Sequence, residues 1–332
     1  MEDLYLQWPE RVRNQLSSWG SISLDVRPRS IVFCGMGGSG VIGDYVYMLS
    51  YRIKGYPPVI VVKDYRLPGF VGAEDLVFII SYSGNTLETL ACFHEALKRT
   101  KNIVIVASNG KLIEEAEEKN IPYILIPQNL LPRTALPDML YAILGVLDSS
   151  KLSIVTLDEA RKALDFLASV LDQIVEEAKV IAEHFYNRIP VITVSTSFYG
   201  LGIRAKNEFN ENAKVPVKVE VVPEWAHNDI VGWEGDSKYP WSVLVIHSVD
   251  DNVSELLMEF AENYYKQIGL PVKTLILSGT NILEKLLYGS LILGLASVYL
   301  AKMYNVNPVE TKSITQYKNM LHKISRELDR VG

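Results

Sequence analysis

The sequence predicts an α/β protein with two doubly wound, mainly parallel sheets, each flanked by helices as an α-β-α sandwich. Short runs rich in Val and Ile alternate with segments of helical spacing. A glycine-rich turn follows the first of these runs. The order of strand-like runs in the first half returns in the second half roughly 160 to 170 residues later. We therefore expect two domains, residues 1–155 and residues 156–332.

The first half contains five short apolar runs separated by helical patterns. Their continuous apolar character is typical of strands that are buried on both faces of a parallel sheet. Alternation of this kind indicates a doubly wound domain. The predicted strands are 31–34, 59–63, 76–81, 103–107 and 123–126, and the predicted helices are 41–49, 86–98 and 111–119.

The second half repeats this pattern after a segment, 157–187, that predicts one or two helices. Runs beginning at 191, 242 and 273 echo those beginning at 31, 76 and 103, but without the glycine-rich turn or the serine-rich segment described below. The apolar stretch 286–304 approaches the length of a membrane span. Small residues interrupt it and no second such stretch occurs, so we interpret it as a buried core helix.

Composition excludes several classes of function. The net charge is −6 and no basic stripe occurs, so we expect no nucleic-acid partner. Two cysteines, Cys34 and Cys92, argue against a disulfide framework and favour a reduced, cytoplasmic setting. The first residues lack a signal-peptide pattern, and we expect no membrane partner. No H-x-x-H, Cys–His cluster or Asp-rich loop is present, so we expect no metal.

Two loops lie where an α/β sheet binds ligands. GMGGSG (35–40) matches the G-x-G-x-x-G dinucleotide pattern, which alone is a weak signal. SYSGNTLET (81–89) follows a strand and precedes a helix, so hydroxyls and helix N–H groups would face one anion. This arrangement favours a phosphate monoester, although a simple Ser/Thr helix cap stays open as an alternative.

These two loops resemble the sugar isomerase (SIS) domain, a flavodoxin-like fold that binds phosphosugars. Four more segments are similar to the archaeal-type bifunctional phosphoglucose/phosphomannose isomerases, and the resemblance spans about residues 30–320. The segments are PRTALP (132–137), NEFNENAK (207–214), PEWAHN (223–228) and NPVETKSITQYK (307–318). The resemblance implies an aldose–ketose isomerase without metal or cofactor. It would interconvert glucose 6-phosphate, and mannose 6-phosphate, with fructose 6-phosphate through a cis-enediolate.

Such a reaction needs a carboxylate or imidazole base. Glu208 and Glu211 lie three residues apart on one helix face, and their spacing does not choose between them. The resemblance implies that Glu211 is the base and that Arg133 stands beside the enediolate. It also implies that Lys318 lies near the ring oxygen and that His227 opens the ring from the partner subunit of a homodimer. The expected substrate-binding residues are Gly38, Ser39, Ser81, Ser83, Thr86 and Thr311.

Two other classes of function remain to be weighed. A phosphosugar-sensing SIS protein would carry a helix-turn-helix domain, and too few residues precede residue 31 to form one. A dinucleotide-binding oxidoreductase would use the glycine turn and an acid after the second strand, for which Asp64 is the candidate. The serine-rich loop is no part of that scheme, so we prefer the isomerase.

Overall fold

The computed structural model of the chain describes residues 1–235, 239–249 and 252–331, without the side chains of 322 and 324–331. It confirms the predicted fold class, with two parallel sheets flanked by helices. The first sheet has the strand order β2-β1-β3-β4-β5. Its strands are β1 (Ile31–Gly35), β2 (Val59–Val62), β3 (Leu76–Ile80), β4 (Ile103–Ala107) and β5 (Tyr123–Leu125).

The second sheet has the order β7-β6-β8-β9, which matches the first four strands of the other sheet, position by position. All of its pairings are parallel. The internal repeat that the sequence predicts is therefore a repeat of topology. These strands are β6 (Ile189–Ser195), β7 (Lys218–Val222), β8 (Trp241–His247) and β9 (Val272–Ile276).

Twelve α-helices occur in the described residues. They are α1 (Glu2–Leu6), α2 (Trp8–Gln15), α3 (Gly37–Ser50), α4 (Leu87–Ala96), α5 (Lys111–Lys119), α6 (Leu136–Ser149), α7 (Leu157–Ser169), α8 (Leu171–Phe185), α9 (Tyr199–Glu208), α10 (Asn252–Gln267), α11 (Ile282–Met303) and α12 (Lys312–Val331). The segment after residue 156 forms two helices, and a capping box between Thr156 and Glu159 starts the first.

The structure differs from the sequence expectation at the start of α3 and at the N-terminus. α3 begins at Gly37 rather than at residue 41, because the glycine turn itself forms the first turn of the helix. The short helices α1 and α2 were not expected, since neither carries a long apolar period. Tertiary packing holds them instead, with Tyr5 and Trp8 fully buried.

The apolar helix α11 lies in the core, as the sequence predicts. Within the described residues it is the helix that is long and apolar enough to cross a membrane, and 83% of its most apolar window is buried. The largest apolar cluster includes Phe33 and Phe78 from the first sheet, Ile192 and Leu244 from the second, and Leu291 from α11. The two sheets thus share one core, and a boundary after residue 155 stays a prediction.

Candidate active site

The glycine-rich turn is shaped by three close backbone approaches. A Cβ on Gly35 would lie 2.9 Å from the carbonyl oxygen of Ile80, and one on Gly40 would lie 2.6 Å from that of Gly35. A Cβ on Gly38 would lie 3.1 Å from the backbone of Pro132. The glycines therefore let the start of α3 pack against both the end of β3 and the loop before α6.

Ser39 joins this turn to the serine-rich loop. It is buried, and its hydroxyl accepts a hydrogen bond from the backbone N–H of Tyr82 at 3.1 Å. The Tyr82 hydroxyl in turn donates to the carbonyl of Pro127 and accepts from the N–H of Leu130. The two loops that the sequence singles out are thus held in one unit at the carboxyl edge of the first sheet.

The serine-rich loop makes a tight turn that requires glycine. Gly84 has φ +64°, and a Cβ there would lie 1.8 Å from the carbonyl oxygen of Asn109. Ser81 is buried and donates its hydroxyl to Thr86 Oγ1 at 3.0 Å. Ser83 Oγ accepts from the N–H of Asn85. The hydroxyl hydrogens of Ser83 and Thr86 can therefore be donated to a ligand.

The start of α4 has the character of an anion site. Thr86 is the N-cap residue, but within the described loop its side chain makes no capping hydrogen bond. The N–H groups of the first helical turn have no intrahelical acceptor and carry partial positive charge. The structure therefore disfavours the alternative in which Thr86 is only a helix cap. The first-turn N–H groups of α4 and the loop hydroxyls remain as hydrogen-bond donors for an anion.

Arg133 and Glu211 form an ion pair between the two halves of the chain. The Arg133 Nη1 group lies 3.0 Å from Glu211 Oε2. The Nε group of Arg133 donates to Asn212 Oδ1 at 2.7 Å, and Nη2 donates to the carbonyl of Pro308 at 2.6 Å. Arg133 is buried, whereas a quarter of the Glu211 side chain is exposed. The carboxylate thus meets solvent beside a fixed guanidinium.

Burial raises the pKa of Glu211 above its ordinary value. The positive charge of Arg133 opposes this shift, and the negative charge of Glu208 adds to it. A carboxyl group whose pKa is raised toward neutrality is suited to accept and return a proton. Nearby Lys214, whose pKa is lowered first by desolvation and then by Arg133, donates to the Glu211 carbonyl.

Glu208 has a different setting from Glu211, although both lie near the end of α9. It is buried and pairs with Arg204 at 2.6 Å. Its other oxygen accepts hydrogen bonds from the hydroxyl of Tyr5 and from Asn212. The structure therefore places Glu208 in an internal polar network and Glu211 at the surface of a groove.

Thr311 lies in the same groove as Glu211. The groove has about 1300 Å³ of empty volume and is open to solvent. Lys214 and Glu310 also line it. The backbone carbonyl of Thr311 accepts a hydrogen bond from the N–H of Thr315, so Thr311 lies immediately before the first residue of α12.

His227 lies apart from Glu211 in the folded chain. It follows β7 in a 3-10 turn, Glu224–His227, at the carboxyl edge of the second sheet, and it is exposed. Glu211 lies in the π-helical turn Phe209–Ala213 before β7, at the opposite edge of that sheet. Five residues of β7 span about 16 Å. One chain therefore does not bring these two side chains together.

Lys318 is exposed on α12 and does not line the groove. Its neighbour Tyr317 donates a hydrogen bond to Glu88, in the first turn of α4, at 2.9 Å. The C-terminal helix therefore passes over the serine-rich loop.

Sequence reasoning missed three contributors to the site. Asn212 and Lys214 lie within the NEFNENAK segment, so that motif carried a signal for them. The carbonyl of Pro308 carries none, because a backbone acceptor depends on where the chain passes. In the described residues no group of three His, Cys, Asp or Glu side chains has the arrangement of a metal site.

Comparisons with known proteins identify the domains and the family. Residues 26–130 match the SIS domain model, and residues 174–321 match the bacterial phospho-glucose isomerase C-terminal SIS domain model. A hypothetical protein of Thermus thermophilus has a similar structure, with a TM-score of 0.73 and 16% identity. That comparison covers 96% of this chain and 89% of the other. Fold and site thus define a protein with two SIS domains.

Sequence relatives narrow the class. The chain is 35% identical to a bifunctional phosphoglucose/phosphomannose isomerase of Aquifex aeolicus, over 97% of this chain and 99% of that protein. It is 34% identical to the protein of the same description from Aeropyrum pernix, over 98% and 99%. A D-glucosamine-6-phosphate 4-epimerase of Sulfolobus acidocaldarius is 28% identical, again over 98% and 99%. The chain belongs to the bifunctional phosphoglucose/phosphomannose isomerase family.

Proposed function

We propose that the protein is an aldose–ketose isomerase that interconverts glucose 6-phosphate and mannose 6-phosphate with fructose 6-phosphate. The observation that carries the proposal is the Glu211–Arg133 pair at 3.0 Å, at a groove that Thr311 also lines. It joins a base of raised pKa to a buried cation. These are the two groups that proton transfer through an enediolate requires.

In the proposed reaction Glu211 removes a proton from C1 of the open-chain ketose. The electron pair forms the C1–C2 double bond, and the carbonyl oxygen at C2 becomes an enediolate oxygen that Arg133 stabilises. The proton of the C1 hydroxyl passes to the C2 oxygen, and Glu211 returns its proton to C2, so that the C1 aldehyde forms and the aldose results. Delivery to one face of C2 gives glucose 6-phosphate, and delivery to the other gives mannose 6-phosphate. Thr311, with its small side chain, lines this end of the groove.

The phosphate is held at the start of α4. Ser83 and Thr86 supply hydroxyl hydrogens, Ser81 orients Thr86, and the first-turn N–H groups supply partial positive charge. Gly38 and Ser39 keep the glycine turn against this loop. Phosphate binding then positions the sugar, so that binding energy from the remote end serves the reacting end.

We also propose that the active form is a homodimer in which His227 reaches the sugar of the neighbouring subunit and assists ring opening. The support is its exposure, together with its place at the sheet edge opposite Glu211. Lys318, exposed on α12 over the phosphate loop, is proposed to approach the ring oxygen. The two buried free cysteines support a cytoplasmic location.

One assay tests the reaction. Fructose 6-phosphate is supplied to the pure protein, and glucose 6-phosphate and mannose 6-phosphate are quantified separately. Both aldoses should form, with exchange of the transferred proton into solvent water. Saturable phosphosugar binding without any product would support a sensing protein instead.

Subunit mixing tests the shared site. Inactive His227→Ala and Glu211→Gln subunits are mixed, and heterodimers are verified by native mass spectrometry. A site built from both subunits should recover up to about a quarter of wild-type activity, because one heterodimer site in two is intact and about half of random dimers are mixed. Verified heterodimers without activity would contradict the shared site.

A second candidate is supported by the relative that is a D-glucosamine-6-phosphate 4-epimerase. The same assay, with glucosamine 6-phosphate as substrate and C4 configuration read by NMR, separates the two activities. We expect the aldose–ketose reaction to be the faster one.

A further inference from the structure

A buried amide lies directly beneath the Arg133–Glu211 pair. Asn212 is fully buried and follows Glu211 in the π-helical turn. Its Oδ1 atom accepts a hydrogen bond from Arg133 Nε at 2.7 Å. The residue thus touches the guanidinium from the side away from the groove.

The other end of this amide is fixed by acceptors. Asn212 Nδ2 donates to Glu208 Oε2 at 2.9 Å and to Ser297 Oγ at 2.8 Å, and it lies 3.2 Å from the Tyr5 hydroxyl. An ionised carboxylate only accepts hydrogen bonds, so the amide nitrogen must face Glu208 and the amide oxygen must face Arg133. The orientation of Asn212 is therefore determined by the buried network.

The N-terminal helix α2 is hydrogen-bonded to the loop that carries Arg133. The indole N–H of Trp8 donates to the carbonyl of Thr134 at 2.8 Å, and Arg11 donates to the same carbonyl. Arg11 also pairs with buried Asp138 at 2.8 Å. Thr134 adjoins Arg133 in the chain. The first fifteen residues thus secure both the loop that carries Arg133 and, through Tyr5, the amide that contacts it.

We propose that Asn212, held in place by Glu208 and Tyr5, is a positioning residue that fixes the Arg133 guanidinium toward Glu211 and the enediolate. The Nε and Nη2 groups of Arg133 are bound by Asn212 and by the Pro308 carbonyl. Rotation of the guanidinium would break both bonds, so Nη1 remains directed at Glu211. This inference rests on the proposed function, because it assigns Arg133 a role in the isomerisation.

Two substitutions at this position separate orientation from bulk. Asn212→Leu keeps the branched shape of the side chain but removes the acceptor for Arg133. Asn212→Asp keeps an acceptor and adds a negative charge next to Arg133. We expect Asn212→Leu to lower kcat about 10- to 100-fold with KM changed less than about 2-fold, because a misplaced group costs the chemical step. We expect Asn212→Asp to have a kcat at least about 3-fold above that of Asn212→Leu, with the acidic limb of its pH profile moved to higher pH by the added negative charge.

Tyr5→Phe provides a milder variant, should Asn212→Leu fail to fold. It removes both hydrogen bonds of the Tyr5 hydroxyl, the one donated to Glu208 and the one accepted from Asn212, and should lower kcat about 3- to 10-fold. Tyr141→Phe is the matched control, since Tyr141 is also buried and donates to a backbone carbonyl, that of Ala160, outside the site. It should leave kcat within about 2-fold of wild type at a similar loss of melting temperature.

The outcomes distinguish this inference from the proposed function. Wild-type kcat in folded Asn212→Leu, or equal effects of Tyr5→Phe and Tyr141→Phe, would overturn the positioning role. A kcat of Asn212→Asp no higher than that of Asn212→Leu would also overturn it. Glu211→Gln is measured in the same series. If that variant is inactive while Asn212→Leu is normal, only the positioning role fails, whereas an active Glu211→Gln would refute the proposed base.

Discussion

The two sheets share a strand order but differ at their carboxyl edges. After β1 the chain makes a glycine turn, whereas after β6 it makes the 3-10 turn Thr196–Phe198. After β3 come the hydroxyls and free helix N–H groups of the serine-rich loop. At the matching end of β8, His247 is buried between the carboxylates of Glu255, at 2.6 Å, and Glu262, at 2.8 Å.

This difference shows that ligand chemistry follows the loops and not the topology. Donor hydrogens and a helix N-terminus favour an anion after β3. The two carboxylates beside His247 disfavour an anion at the end of β8. The second half of the chain contributes to the candidate site from the opposite edge of its sheet. There the turn after α9 places Glu211 against Arg133 of the first half. In the proposed reaction, a duplicated fold thus supplies the phosphate anchor from one copy and the base from the other.

The largest effect is expected when Glu211, the proposed contribution of the second half of the chain, is replaced. Glu211→Gln should lower kcat about 100- to 10,000-fold, because it removes the proposed general base. Binding of inorganic phosphate, followed by calorimetry, should be retained, since the anchor lies in the first unit. Glu255→Gln is the matched control at the edge of β8 and should leave kcat within about 2-fold. Turnover near the wild-type rate in Glu211→Gln would contradict the assignment.

A smaller but more diagnostic effect is expected from Arg133→Gln. Loss of one oxyanion-stabilising group should lower kcat about 100- to 1000-fold. Glu211 must be ionised to act as a base, so activity falls as the pH drops through its pKa. Arg133 lowers that pKa, and its removal should therefore move the acidic limb of kcat/KM to higher pH.

The control for this prediction is Arg29→Gln, which breaks another arginine–carboxylate pair, with Asp75, away from the site. It should leave the acidic limb in place. A limb that stays unmoved in Arg133→Gln would mean that a group other than Glu211 controls it.

The serine-rich loop, the proposed phosphate anchor, can be tested through its backbone. Gly84→Ala should raise KM for fructose 6-phosphate at least about 10-fold and lower stability by more than about 1 kcal/mol, because φ is positive and the Cβ would meet Asn109. Gly269→Ala in the second unit also has a positive φ, +81°, but its Cβ would meet open space. It should lower the melting temperature slightly and leave KM unchanged. Equal KM values in the two variants would argue against the anchor.

The smallest effect is expected from metal removal. Prolonged treatment with EDTA, followed by desalting, should leave kcat unchanged, because the proposed proton transfer uses only Glu211 and Arg133. Metal content by mass spectrometry, measured before and after, provides the control. Activity lost on chelation and restored by a divalent cation would require a different mechanism.

Much of the fold could be predicted from the sequence because buried parallel strands leave a strong local signal. The strand 103–107 and the helix 111–119 agree with the structure residue by residue. The N-terminal helices could not be predicted, because they are short and depend on contacts far away in the chain. Tyr5 packs on Gly294, where a Cβ would lie 2.6 Å from its ring, and no local pattern records that approach.

The site divides in the same way. The serine-rich loop and its helix start could be predicted to be an anion site because the signal is local and continuous. The choice between Glu208 and Glu211 could not be made from spacing. Burial in the structure supports the proposal of Glu211, since Glu208 is enclosed with Arg204 and Tyr5 while Glu211 reaches the groove.

The two-sheet class, the repeat, the serine-rich loop and the motif segments that resemble the isomerase family can all be read from the sequence. These features are encoded in short stretches, where apolar period, glycine position and hydroxyl spacing act locally. The folded chain was needed to show that Arg133 faces Glu211, that Asn212 and the N-terminal helices contact this region, and that His227 lies at the far edge of its own sheet. Those relations join residues from distant parts of the chain, and the packing of the shared core fixes them.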